Sequence, residues 1–135
     1  MQGETVSIEF TSADASTAAA VTIKDSDLVT RTLASNERLL IDSLNANIAT
    51  GVTVSVINDT DADGNIDAGE RIAELSINTV VAEFGAEGFS CKTGFTPKVK
   101  ASGAGAVTIT GMGRIVARGV DGVTRPAYKN TLLGR

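Results

Sequence analysis

Five carboxylates stand within twelve residues in the segment Asp59-Thr60-Asp61-Ala62-Asp63-Gly64-Asn65-Ile66-Asp67-Ala68-Gly69-Glu70. Asp59, Asp61, Asp63, Asp67 and Glu70 offer hard oxygen atoms, and Asn65 adds a backbone carbonyl between them. Calcium takes six to eight such oxygens at about 2.3–2.6 Å in loose geometry. Alternate side chains of a tight coil converge on one centre, and Gly64 supplies the sharp turn that such a coil needs. Left without a cation, carboxylates this close repel one another. A bound calcium ion would remove that repulsion and order the segment. The competing reading is an acidic, solvated hairpin tip that uses Asp, Asn and Gly for turn chemistry alone.

The same twelve residues resemble the calcium loop of EF-hand and dockerin-type proteins. Asp59, Asp61 and Asp63 stand at the first, third and fifth places, and Gly64 at the sixth. Asn65 stands at the seventh, where a backbone carbonyl is used, with Ile66 at the eighth, Asp67 at the ninth and Glu70 at the bidentate twelfth. The flanks depart from that family. Val52–Ile57 alternates like a strand, Arg71–Ile77 alternates as well, and there is one loop where EF-hands come in pairs. The ligands therefore carry over as expectations, while the helix–loop–helix does not. The expected role is a structural clip between two strands, stabilising the folded state by ligand linkage.

The rest of the chain narrows the chemistry by what it lacks. Net charge is −4 over 135 residues, and outside the acidic window eleven acids face twelve bases. That balance argues against a nucleic-acid partner. There is no histidine, so imidazole-based metal sites and acid–base dyads are excluded. Cys91 is the one cysteine, so no internal disulfide can form, and a thiolate nucleophile would lack its usual base. There is no tryptophan, and five aromatics are poor stock for stacking sugars or bases. Gly103, Gly105 and Gly111-Met112-Gly113 do not continue into a phosphate-binding pattern, so they are expected to serve tight packing or bulges. No catalytic residue is expected. No apolar run approaches the ~20 residues of a membrane span, and MQGETVSIEF has neither the basic nor the apolar region of an export signal.

The acidic loop must be held by other elements, and these read as strands. Val6, Ile8 and Phe10 alternate with polar residues. So do Val21 and Ile23, then Val52, Val54 and Val56, then Ala73, Leu75 and Ile77, then Val107 and Ile109, and Ile115 with Ala117. Period-2 alternation in β-branched residues, punctuated by 14 glycines, predicts an all-β chain: a single antiparallel β-sandwich or jelly roll over residues 1–118. The acidic loop then caps a hairpin. Ser35–Gly51 also admits a helix, since Leu40, Leu44 and Ile48 fall at i, i+4 and i+8. The strand reading is preferred. It puts Leu40, Leu44, Ala46 and Ile48 on one face and forms a long hairpin with Val52–Ile57, but it places Asp42 on the apolar face. Phe84, Phe89 and Phe95 are expected in the core, and Cys91 as a packed thiol. Residues 119–135 lose the alternation and read as an irregular C-terminal arm. It is either a solvated terminus or a segment docking through Tyr128, Leu132 and Leu133.

With these segments placed, two stretches carry a wider resemblance. Asn36-Glu37-Arg38-Leu39-Leu40-Ile41-Asp42 leads into a strand. Gly94-Phe95-Thr96-Pro97-Lys98-Val99-Lys100-Ala101 precedes Gly105-Ala106-Val107-Thr108-Ile109-Thr110-Gly111-Met112-Gly113-Arg114-Ile115. Over roughly residues 36–118 this strand grammar resembles the small jelly-roll decoration (cement) proteins of tailed bacteriophage capsids. The resemblance implies a homotrimer made in the host cytoplasm and bound to the outer surface of the virion. There it would clamp neighbouring major capsid protein subunits, with no active site and no membrane or nucleic-acid partner. The alternative is a calcium-dependent recognition module, such as a tail or head-fibre receptor-binding domain or a bacterial adhesion or carbohydrate-binding domain.

Overall fold

The alternating segments pair almost entirely with strands distant in sequence. The structure is a computed structural model and describes residues 3–75, 79–85, 88–118 and 124–126. Among these residues there are eleven strands and no helix. They are β1 (Glu4–Ser12), β2 (Ala19–Ala20), β3 (Thr22–Lys24), β4 (Glu37–Ile48), β5 (Val54–Ile57), β6 (Arg71–Leu75), β7 (Thr79–Glu83), β8 (Phe89–Ser90), β9 (Lys98–Ala101), β10 (Val107–Arg118) and β11 (Thr124–Pro126). The larger sheet runs β3-β1-β10-β4-β7, with β8 also on β4 and β11 also on β10. The smaller sheet runs β2-β9-β5-β6, and every pairing is antiparallel.

One core joins the two sheets, as a β-sandwich requires. Val6, Ile8, Leu39, Ile41, Leu44, Ala46, Ile48, Val107, Ile109 and Ile115 come from the larger sheet. Val54, Val56, Ile72, Leu75, Val99 and Ala101 come from the smaller. Fully burying one Val, Leu or Ile side chain is worth about 1.5–3 kcal/mol, so this apolar layer is the main stabilising element. Phe84 and Phe89 pack against it edge to face, with ring centroids 5.9 Å apart. Cys91 is buried there too, and burial pushes its thiol up to about 12.

Residues 37–48 form a strand, but two details differ from the sequence reading. The register between β4 and β10 shifts at Met112/Gly113: Ile41 faces Gly113 and Ser43 faces Met112, leaving Asp42 as an extra residue. This bulge changes the phase of the alternation, so Leu39 and Ile41 join Leu44, Ala46 and Ile48 in the core while Leu40 is buried elsewhere. Asp42 consequently leaves the apolar face and pairs with Arg114 at 2.7 Å. The expected hairpin from Ile48 into Val52–Ile57 is absent. β4 and β5 lie in different sheets, and the chain crosses between them at Ala49–Thr53, turning through Gly51 with φ +80°. Local alternation marks a strand but not its partner, so this crossing left no local signal.

Gly111 and Gly113 lie where the β4 backbone passes close to β10. A Cβ on Gly111 would strike the Ser43 carbonyl, and one on Gly113 would come within 2.6 Å of the Leu40 carbonyl oxygen. Close backbone approach accounts for both. Of the C-terminal arm, only 124–126 are described, paired with Val116–Arg118 of β10. Tyr128, Leu132 and Leu133 lie outside the described residues.

Candidate metal centre

β5 and β6 form a hairpin, and the acidic segment is its tip. Val54–Ile57 pairs with Arg71–Leu75, and the register shifts at Val56/Ile57. That shift buries Ile72, which simple alternation places on the polar face. The Asn58 N–H donates to the Glu70 carbonyl at 2.8 Å and closes the neck. Three residues in the left-handed region bend the loop above it: Ala62 (φ +58°), Gly64 (φ +74°) and Gly69 (φ +82°). The two glycines take that conformation without a steric penalty, while Ala62 carries a strain of about 1 kcal/mol or more.

The bend brings the sequence-identified acids together. Carboxylate oxygens of Asp59, Asp61 and Asp63 lie within 4.8 Å of one another, and so do those of Asp61, Asp67 and Glu70. Asp61 belongs to both groups, so the five acids form one continuous cluster that could hold a metal ion. Asn65 is exposed and joins the cluster by donating its backbone N–H to Asp63 Oδ1 at 2.8 Å.

The two end residues are buried and anchored, whereas Asp61, Asp63 and Asp67 are exposed. Asp59 Oδ2 accepts the Gly64 N–H at 2.9 Å, and its Oδ1 accepts the Asp63 N–H at 3.2 Å. Glu70 spans the loop. Its Oε2 accepts the Thr60 N–H at 2.9 Å, and its Oε1 accepts the Asp67 N–H at 3.0 Å. Backbone donors thus aim inward at both ends of the coil, which fixes these carboxylates as acceptors.

Two cations that the sequence reading did not connect to the loop reach it from β9. Lys98 Nζ lies 3.0 Å from Asp59 Oδ2, and Lys100 Nζ donates to the Gly64 carbonyl at 2.7 Å. Their alternation in Pro97-Lys98-Val99-Lys100 was visible, placing both on one outward face of a strand. What that face would meet was not.

The charges divide the acids by environment. The Lys98 hydrogen bond holds Asp59 below the usual carboxylate value of 3.8, with the Gly64 N–H helping against desolvation by burial. Asp61 goes the other way, pushed up to about 6. Partial desolvation in the coil is the largest cause, reinforced by hydrogen bonding to Asp59 and Asp67 and by the Asp63 charge, and opposed by the Asp63 N–H. The acid shared by both groups therefore sits where a positive neighbour would favour its charged form.

An open groove of about 430 Å³ borders the loop, lined by Asn58, Thr60, Glu70, Ser90, Cys91 and Lys92 among others. No helix among the described residues is long and apolar enough to cross a membrane. No family model, curated protein or solved structure matches the chain.

Proposed function

We propose that the loop binds calcium through Asp59, Asp61, Asp63, Asp67, Glu70 and the Asn65 carbonyl, and that the protein is a structural attachment protein. In this reading it decorates the outer surface of a tailed-phage head as a homotrimer and clamps major capsid protein subunits. The observation that carries the ion assignment is the pair of overlapping carboxylate groups sharing Asp61. An all-oxygen donor set with loose spacing suits a hard cation of calcium's size better than zinc, which prefers nitrogen and sulfur. Attachment to a capsid is supported by the resemblance of residues 36–42 and 94–115, together with an all-strand framework of two sheets.

Native mass spectrometry with calcium and then after chelation tests both halves. A trimer of 13.8 kDa chains with one calcium per chain is the expected result. A metal-free monomer under both conditions would reduce the loop to a turn and remove the trimer. Co-sedimentation with phage heads tests the attachment itself, and no binding to intact heads would sink it.

A second reading, a calcium-dependent recognition module, is favoured by the groove beside Glu70, where an ion and a ligand would be neighbours. Ligand binding to the isolated protein that disappears with chelator would select it over the capsid role.

A further inference from the structure

We propose that Lys98 is a built-in cation that satisfies the acidic loop until a divalent ion displaces its ammonium, with Lys100 as a second tether that stays in place. The proposal rests on the ion-binding reading above and goes on to say how that binding is regulated.

The argument starts from acceptor capacity. A carboxylate offers about four lone-pair sites. Asp59 already receives the Asp63 N–H on Oδ1 and both the Gly64 N–H and the Lys98 ammonium on Oδ2. The Asp59 side chain is fully buried, so water does not compete for what is left. An ion that takes Asp59 as a ligand must share it with a positive charge 3.0 Å away or expel that charge. Two cations on one buried carboxylate repel strongly in such a setting, so expulsion is favoured.

The fold gives the ammonium somewhere to go. Lys98 belongs to β9, where it pairs with Ile57 at the foot of the loop, so its backbone is fixed by the sheet. Its side chain is 28% exposed, and the flexible four-carbon stem lets the ammonium swing into water while the strand stays put. Lys100 is engaged differently. It binds a backbone carbonyl, that of Gly64, and so tethers the sixth position of the loop without occupying a carboxylate.

Two consequences follow. The loop keeps its shape without metal, because Lys98 and Lys100 already hold it from the neighbouring strand. Calcium affinity is set by an exchange of cations, and is weaker than the ligand count alone would give.

Isothermal titration with calcium chloride tests this on the wild type, Lys98→Met and Lys98→Arg, each stripped with chelator first. Lys98→Met is expected to bind at least about tenfold more tightly than wild type, and Lys98→Arg close to wild type. Hydrogen exchange in chelator is expected to show protected Asp63 and Gly64 amides in wild type and faster exchange in Lys98→Met. Wild-type binding with equal or weaker binding by Lys98→Met would overturn the displacement and leave the calcium reading standing. No binding by any of the three would overturn both. If far-UV circular dichroism shows that Lys98→Met does not fold, Lys98→Gln takes its place with the same expectations.

Discussion

Arg31 meets Glu37 through two parallel bonds, Nη1 to Oε1 at 2.9 Å and Nη2 to Oε2 at 2.6 Å. The same guanidinium reaches Glu4 with Nε at 3.3 Å, so one side chain ties the start of β1 to the start of β4. Glu4 and Glu37 are both buried, and this geometry gives each carboxylate the same cation as a partner. Burial pushes Glu37 up, but the Arg31 hydrogen bond, the Ala34 N–H and the Arg31 charge together outweigh it and leave Glu37 below its ordinary 4.5.

A depressed carboxylate stabilises the fold above its unfolded value and loses that contribution as pH falls through its folded value. The difference in urea midpoint between wild type and Glu37→Gln is therefore expected to be full at pH 7 and to shrink below about 4.5. A difference that stays constant down to pH 3 would contradict the coupling. Arg31→Met leaves two buried carboxylates without their cation and is expected to destabilise by about 3 kcal/mol at pH 7.

Calcium added to chelated protein is expected to raise the melting temperature, by an amount that grows with its free concentration. Asp61→Asn separates the two roles of that residue. It removes the acid that desolvation, reinforced by its acidic neighbours, pushes up to about 6, so in chelator at pH 7 the variant should melt above wild type. It also removes the ligand common to both carboxylate groups, so the calcium-induced rise should fall sharply. Scanning fluorimetry with and without chelator reads both effects.

Gly113→Ala is expected to destabilise by about 1–3 kcal/mol, because its new methyl would meet a carbonyl that β4 cannot easily move. Gly111→Ala should behave alike. Gly103 has open space around it, and Gly103→Ala should lie within about 0.5 kcal/mol of wild type. Urea unfolding of the three variants decides whether the two β10 glycines are there for close approach.

Cys91 should resist a thiol reagent at pH 8 in the folded protein and react fully in denaturant. Burial both raises its pKa to about 12 and blocks access. Rapid native-state labelling would show that the surrounding core opens locally.

The most legible parts of the sequence were those whose cause is local. Val6, Ile8 and Phe10 announce their strand because alternation is a property of consecutive residues, and the structure buries all three. The acidic loop was legible for a similar reason: converging ligands need a fixed spacing within one coil. Asp42 was misread because it is the extra residue of a bulge that changes the phase of the alternation, and the bulge shows only in the register of β4 against β10. Lys98 was missed as a partner of Asp59 because the contact spans 39 positions and depends on which strand lies beside β5. Which strands pair leaves no periodic trace in either segment.

The long-range pairing of β1 has a consequence for how the chain is made. Its main partner is β10, with Glu4 opposite Ile115 and Ser12 opposite Val107. β10 is also the strand that joins β1 to β4. While a ribosome is still extending the chain through residue 106, β1 and β4 have no strand between them. The larger sheet can close only once residues 107–118 have left the ribosome. Contacts this far apart along the chain make for slow folding, so the larger sheet is expected to assemble in one step after β10 emerges rather than stepwise from β1.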